Sequence, residues 1–236
     1  MNIALIFAAG RGKRTGESVP KQFLLIDGKP ILIRTLEKFQ LSNLIDEIFL
    51  VTLEEYFGET QRMLKTWSIT KCKQIISGGE TGLDSIFNGL KSISSKFPNE
   101  NPIVLIHDGV RPFIDTHTIE KNIEIVRLKG NCVTVSPAIE TVVIADEKFQ
   151  TISKVVDRKY CLMAKAPQSF FLQTLMPLFT EAKKVGLNSF VDTASLVSNF
   201  GLQTYTLLGP NDNIKITTPE DLICAKALIK EKENGK

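Results

Sequence analysis

The chain has 236 residues, 43% hydrophobic and 23% charged, the length and balance of one large α/β domain with a substantial buried core. Lys and Arg total 29 against 26 Asp and Glu, so the net charge of +3 is too slight to argue for nucleic acid, and any affinity for phosphate has to be local. No apolar run approaches membrane-spanning length and no basic leader precedes the first strand, so no membrane association is expected and the cytoplasm is the expected location.

The apolar run Ile3-Ala4-Leu5-Ile6-Phe7 reads as a buried parallel strand. It empties into Ala8-Ala9-Gly10-Arg11-Gly12-Lys13-Arg14, closed by Pro20-Lys21-Gln22-Phe23. Gly10 and Gly12 let the backbone approach a ligand closely and turn N–H groups inward, while Arg11, Lys13, Arg14 and Lys21 offset phosphate charge. The segment therefore reads as a nucleoside triphosphate loop. A P-loop would need Ser or Thr after Gly12-Lys13, where Arg14 stands. A dinucleotide fingerprint would need a third glycine at Thr15, and Gly16 falls one residue late. The plain alternative is a tight turn with solvated charges.

Downstream, Pro30 opens a helix marked by Leu32, Leu36 and Phe39, and 47–51 reads as the second strand. A helix around 60–67 and a short strand at 73–76 lead to Gly78-Gly79. Ile86, Leu90 and Ile93 mark the next helix, 103–106 a central strand, and about 115–128 another helix. The alternation predicts an α/β fold, Rossmann-like, with a mostly parallel sheet and helices on both faces. Strand-like stretches 141–145 and 150–156 around Asp146-Glu147-Lys148 predict an inserted β-hairpin arm, spanning 137–165. Such a hairpin is marginal alone in water and wants a partner surface, its own domain or another chain. Cys72, Cys132, Cys161 and Cys224 are scattered, and three lie in apolar stretches, so buried free thiols are expected.

The ordered set Ala-Ala-Gly-x-Gly-x-Arg, Pro20-Lys21-Gln22-Phe23, Gly78-Gly79, residues 106–113 (IHDGVRPF), Val156-Asp157-Arg158, Pro167-Gln168 and Asp212-Asn213-Ile214-Lys215 resembles the cytidylyltransferases of small polyol phosphates. These are the 2-C-methyl-D-erythritol 4-phosphate and ribitol 5-phosphate enzymes. The resemblance covers nearly the whole chain and implies a single nucleotidyltransferase domain, 1–236, that transfers CMP from CTP to a polyol phosphate with magnesium. It also implies a homodimer whose arm crosses to a second subunit.

On that resemblance the nucleotide is held by Ala8, Ala9, Gly10, Gly12, Arg14, Lys21, Gly78, Gly79, Ser85 and Asp108. Arg14, Lys21 and Lys215 serve the transferring phosphate. Thr141, Arg158 and Lys215 receive the acceptor, Arg111 either does the same or simply pairs with a carboxylate, and Asp108 with Asp212 holds magnesium. Asp108 ends a strand, where ligands of open α/β sheets bind, although His-Asp-Gly is also good turn chemistry.

Several positions depart from the family pattern: Gly82 stands where Arg is usual, Ala166 and Val191 where Thr is, and Thr15 where Met is. Each lost pocket hydrogen bond is worth about 0.5–3 kcal/mol, which bears on the acceptor more than on nucleotidyl transfer. Residues 110–113 and 29–32 look like the ribitol branch. Asp192-Thr193-Ala194-Ser195 and 218–222 look like the methylerythritol branch, the slightly preferred acceptor and an isoprenoid precursor. Two rivals belong to other classes. A dinucleotide-dependent oxidoreductase would use Glu54 as its acidic residue, and a non-catalytic paralogue would bind nucleotide as a regulator.

Overall fold

The computed structural model describes residues 1–10, 19–187 and 190–234. The first half of the chain forms β1 (Asn2–Ala8), the short pair β2 (Leu25–Ile26) and β3 (Lys29–Pro30), α1 (Ile31–Leu41), β4 (Glu47–Thr52), α2 (Phe57–Thr66), β5 (Cys72–Ser77) and α3 (Gly82–Lys96). The centre adds β6 (Ile103–Asp108), α4 (Thr116–Lys129), β7 (Asn131–Pro137), the hairpin β8 (Val142–Ala145) and β9 (Ile152–Val156), and β10 (Leu162–Phe171). α5 (Leu172–Lys184), α6 (Thr193–Asn199), β11 (Thr206–Leu208) and α7 (Pro219–Asn234) complete it.

The seven-stranded sheet has the order β11-β7-β10-β6-β1-β4-β5. β10 runs antiparallel to both neighbours, and every other pairing is parallel, so the sheet is mostly parallel as expected. Strand periodicity sorts the core into two layers. Ile3 and Leu5 of β1 pack with Leu83, Ile86 and Leu90 of α3 and with Leu175 and Phe179 of α5. Ala4, Ile6 and Ala8 pack on the opposite face with Leu32, Leu36 and Phe39 of α1 and with Ile119 and Ile123 of α4. Fully burying one such side chain contributes about 1.5–3 kcal/mol, enough across both layers to outweigh local preferences. A third cluster, Ile26, Ile31, Val110, Phe113, Ile216, Ala225 and Ile229, seats α7.

Register places the functional edge. Phe7 is opposite both Val51 and Asp108, and Ala8 opposite Thr52, so β1, β4 and β6 release their chains at one level. α4 starts where Asp115 accepts the Thr118 N–H at 2.7 Å and stops at Gly130, whose φ of 90° suits glycine alone.

The arm grows out of the sheet. Pro137 is opposite Leu162, and the chain then continues into the separate hairpin β8–β9, closed by Asp146, whose carboxylate accepts from the N–H groups of Lys148 and Gln150. Leu162–Lys165, expected as part of the arm, belong to β10 and hence to the main sheet. Ile144, Phe149, Ile152 and Val155 are at least half exposed on the hairpin.

The cysteines correct an expectation. All four are free, but only Cys132 is buried, while Cys72 and Cys161 are intermediate and Cys224 is exposed. Apolar neighbours do not bury a helical residue when it lies on the outer face. On α7 the inner positions are Ala225 and Ile229.

Candidate active site

A cavity of about 940 Å³ opens at the carboxyl edge of β1, β4 and β6, and Ala8, Ala9, Gly10, Lys21, Gly78, Gly79, Ser85, Asp108 and Lys215 all line it. The motif Pro-Lys-Gln-Phe explains how Lys21 arrives there. Gln22, 1% exposed, donates from Nε2 to the Ala8 carbonyl at 2.6 Å. Phe23 is buried and stacks on Tyr56 at 4.8 Å. With Gln22 bolted to the end of β1 and Phe23 in the core, Lys21 is carried into the cavity wall.

Gly78 and Gly79 are glycines because of close approach. A Cβ on Gly78 would collide with the Cβ of Ala9, and one on Gly79 with Asp84. Ser85 is buried and holds this wall: its Oγ accepts from the Gly79 N–H at 3.1 Å and donates to the Thr81 carbonyl at 3.0 Å. Thr81 and Asp84 form a capping box that fixes the start of α3 in the same place.

Asp108 is 6% exposed, and both its oxygens are engaged. Lys215 Nζ lies 2.6 Å from Oδ1, and Arg111 Nε donates to Oδ2 at 2.9 Å. Burial alone would raise its pKa, but Lys215 and Arg111 outweigh it and hold the carboxyl at about 2, ionised at neutral pH. His107 beside it is fully buried and neutral: burial lowers its pKa to about 4, and its Nε2 faces the Arg111 carbonyl at 3.2 Å.

Magnesium accepts one or two carboxylates and completes its shell with phosphate oxygens and water. Asp108 fits that role as an ionised donor on the cavity wall. Asp212 does not line the cavity, and its Oδ2 is 2.6 Å from Lys232 Nζ. No group of three or more His, Cys, Asp or Glu gathers among the described residues.

Gly12 and Arg14 lie outside the described residues. Arg111 reaches Asp108 and the Asn213 carbonyl (2.9 Å) rather than the cavity. Thr141 and Arg158, both exposed, flank the root of the β8–β9 hairpin, and Arg158 Nη1 donates to the Ile139 carbonyl at 2.6 Å. Neither lines the cavity of its own chain. Of the departing positions, Gly82 borders the cavity with open space where a Cβ would stand, Ala166 is buried, and Val191 is 95% exposed.

Sequence reasoning gave no role of their own to Gln22 or Asn213 and weighed Glu54 only for the oxidoreductase reading; Glu54, Glu55 and Glu80 also line the cavity. Lys21 and Lys215 bring cations to the same cavity, where they suit phosphate.

The family model described as 2-C-methyl-D-erythritol 4-phosphate cytidylyltransferase (IspD) matches residues 2–231. A ribitol-5-phosphate cytidylyltransferase of Vibrio parahaemolyticus is 42% identical over 99% of this chain and 98% of its own. A 2-C-methyl-D-erythritol 4-phosphate cytidylyltransferase of Clostridium acetobutylicum is 38% identical over 98% of each. The crystal structure of 4-diphosphocytidyl-2C-methyl-D-erythritol synthase from Anaerococcus prevotii superposes with a TM-score of 0.81 at 28% identity, over 97% of this chain and 95% of that one. A match across the whole sheet, its cavity and its hairpin leaves one conclusion: the chain belongs to the IspD family of cytidylyltransferases.

Proposed function

We propose that this protein transfers CMP from CTP to the phosphate of ribitol 5-phosphate, releasing pyrophosphate. The supporting observation is that Lys21, Asp108 and Lys215 line the same cavity as Gly78, Gly79 and Ser85. Ribitol 5-phosphate is preferred over the methylerythritol acceptor because relatives bearing its name share 42% and 39% of their residues with this chain. The second reading, methylerythritol 4-phosphate as an isoprenoid precursor, is favoured by the family model's own description.

In this reading the cytosine and ribose lie along Gly78, Gly79 and Ser85, and the triphosphate turns toward Lys21 and Lys215. An acceptor phosphate oxygen attacks the α-phosphorus, and the bond to the bridging oxygen of pyrophosphate breaks. The acceptor is already ionised, so no general base is needed. Lys21 and Lys215 meet charge that grows in the transition state, where preorganised cations contribute most. Asp108 would hold magnesium, which when bound neutralises phosphate charge and orients the leaving pyrophosphate.

The exposed hairpin is read as the arm of a homodimer. Thr141 and Arg158 would then enter a neighbouring subunit's site to grip the acceptor phosphate, consistent with their place outside their own cavity. No helix is long and apolar enough to cross a membrane among the described residues, in keeping with a cytoplasmic enzyme.

Comparing kcat/KM for ribitol 5-phosphate and methylerythritol 4-phosphate, by pyrophosphate release from CTP with magnesium, tests the acceptor. A preference of tenfold or more for ribitol 5-phosphate is expected, and the reverse preference would transfer the proposal to the second reading.

A further inference from the structure

The loop that delivers Lys215 to Asp108 is held from both sides. Downstream, Ile216 is fully buried in the α7 cluster, and its N–H donates to the Val110 carbonyl at 3.0 Å. Upstream, the backbone carbonyls of the preceding loop are taken by cations. Lys165 Nζ donates to the Asn211 carbonyl at 2.9 Å and to the Pro210 carbonyl at 3.3 Å, while Arg111 Nη1 takes the Asn213 carbonyl at 2.9 Å. Asn213, fully buried, adds a bond from Nδ2 to the Ala166 carbonyl at 2.9 Å.

Lys165 reaches the loop because β10 bulges. Ala164 is opposite Val135 but Gln168 is opposite Val133, so three residues of β10 stand against one of β7. A bulge re-aims side chains, and here it carries Lys165 out of the ladder and over the loop. A cation on carbonyl oxygens makes stronger hydrogen bonds than a neutral donor would.

We propose that Lys165 is a positioning residue for the transfer reaction: its ammonium clamps the 210–211 carbonyls to the bulge of β10 and so sets where Lys215 stands. The same strand emerges from the arm at Leu162, so the clamp also ties the root of the arm to Lys215. Lys165 does not border the nucleotide cavity, and its effect reaches the substrate only through the loop.

The inference rests on the reading of Lys215 as a contact to the transferring phosphate, and its test has two independent parts. Lys165→Met keeps the aliphatic stem and removes the ammonium, Lys165→Arg keeps a cation able to donate twice, and Lys226→Met, at an exposed position of α7, is a surface control. Amide hydrogen exchange needs no turnover. Exchange in residues 211–215 should rise at least tenfold in Lys165→Met and return toward the parent rate in Lys165→Arg. In steady-state kinetics Lys165→Met should lower kcat roughly 10–100-fold, as small misplacements of reacting groups do, with both KM values within about threefold. Lys165→Arg should recover most of the loss, and Lys226→Met should stay within about twofold. Unchanged exchange in Lys165→Met would overturn the clamp. A raised acceptor KM at constant kcat would overturn it too, making Lys165 a direct acceptor contact. Absence of turnover in the unaltered protein would instead remove the proposed function, leaving the exchange result to decide whether the loop is clamped.

Discussion

Asp108 carries Lys215 on one oxygen and Arg111 on the other, and the two cations outweigh the cost of its burial. Its folded pKa of about 2 lies below the ordinary 3.8, so its contribution to stability is present above pH 4 and is lost as pH falls toward 2. That contribution is on the order of 2 kcal/mol. His107 titrates first. Its folded pKa of about 4 lies below the ordinary 6.5, so the unfolded chain takes up a proton that the folded chain refuses. Stability should therefore hold above pH 6.5 and fall between 6.5 and 4, by about 3 kcal/mol for this one group. Urea unfolding at pH 7 and pH 4.5, with His107→Asn as comparison, checks it: the variant should lose most of the pH dependence over that window. At the same scale, Asp108→Asn keeps the shape of the side chain and removes its charge. Turnover should fall by at least 100-fold while the melting temperature shifts by only a few degrees, and excess magnesium should rescue little. Asp108 stood out in the sequence as an acid closing an apolar strand, but that place equally suits a turn cap, and the family resemblance is what singled it out. The clamp from Lys165 was not legible from sequence, because its acceptors are backbone carbonyls and carry no residue signature.

Among the elements, the wall formed by the end of β5 and the start of α3 shows how a motif becomes geometry. Gly78 is constrained by Ala9 and Gly79 by Asp84, whereas Gly82, four residues on from Gly78, has no neighbour where a Cβ would stand. Gly78→Ala is therefore expected to force β1 and β5 apart at the cavity, weakening CTP binding at least tenfold and costing about 1–3 kcal/mol of stability. Gly82→Ala should leave CTP binding within about twofold and stabilise the helix slightly. Calorimetric titration with CTP and thermal melts of both variants separate the two glycines. Apolar period made most elements readable: the helix expected from Pro30 begins at Ile31, and the one expected near 115–128 spans Thr116–Lys129. β10 was harder. Its bulge and its antiparallel place between two parallel neighbours follow from tertiary packing rather than from any run of residues. Residues 11–18, where Gly12 and Arg14 fall, lie outside the described residues.

For the whole molecule, the hairpin sets the scale of function. Ile144, Phe149, Ile152 and Val155 of the hairpin are largely exposed, and a second chain covering them would bring Thr141 and Arg158 to a site that lacks them. Mixing Lys21→Ala with Arg158→Ala subunits should restore activity, since one of the two sites in a mixed dimer would hold both intact residues. No recovery after confirmed subunit exchange would place arm and cavity of one chain in the same site. The central claim, that this cavity joins a cytidylyl group to a polyol phosphate, is met most directly by following CTP, magnesium and ribitol 5-phosphate by phosphorus-31 NMR. Equimolar pyrophosphate and a CDP-polyol, formed by the parent and reduced at least 100-fold in Lys215→Ala, are the expected result. CTP that binds but stays intact with every small polyol phosphate, or faster nucleotidyl transfer from ATP, would contradict it.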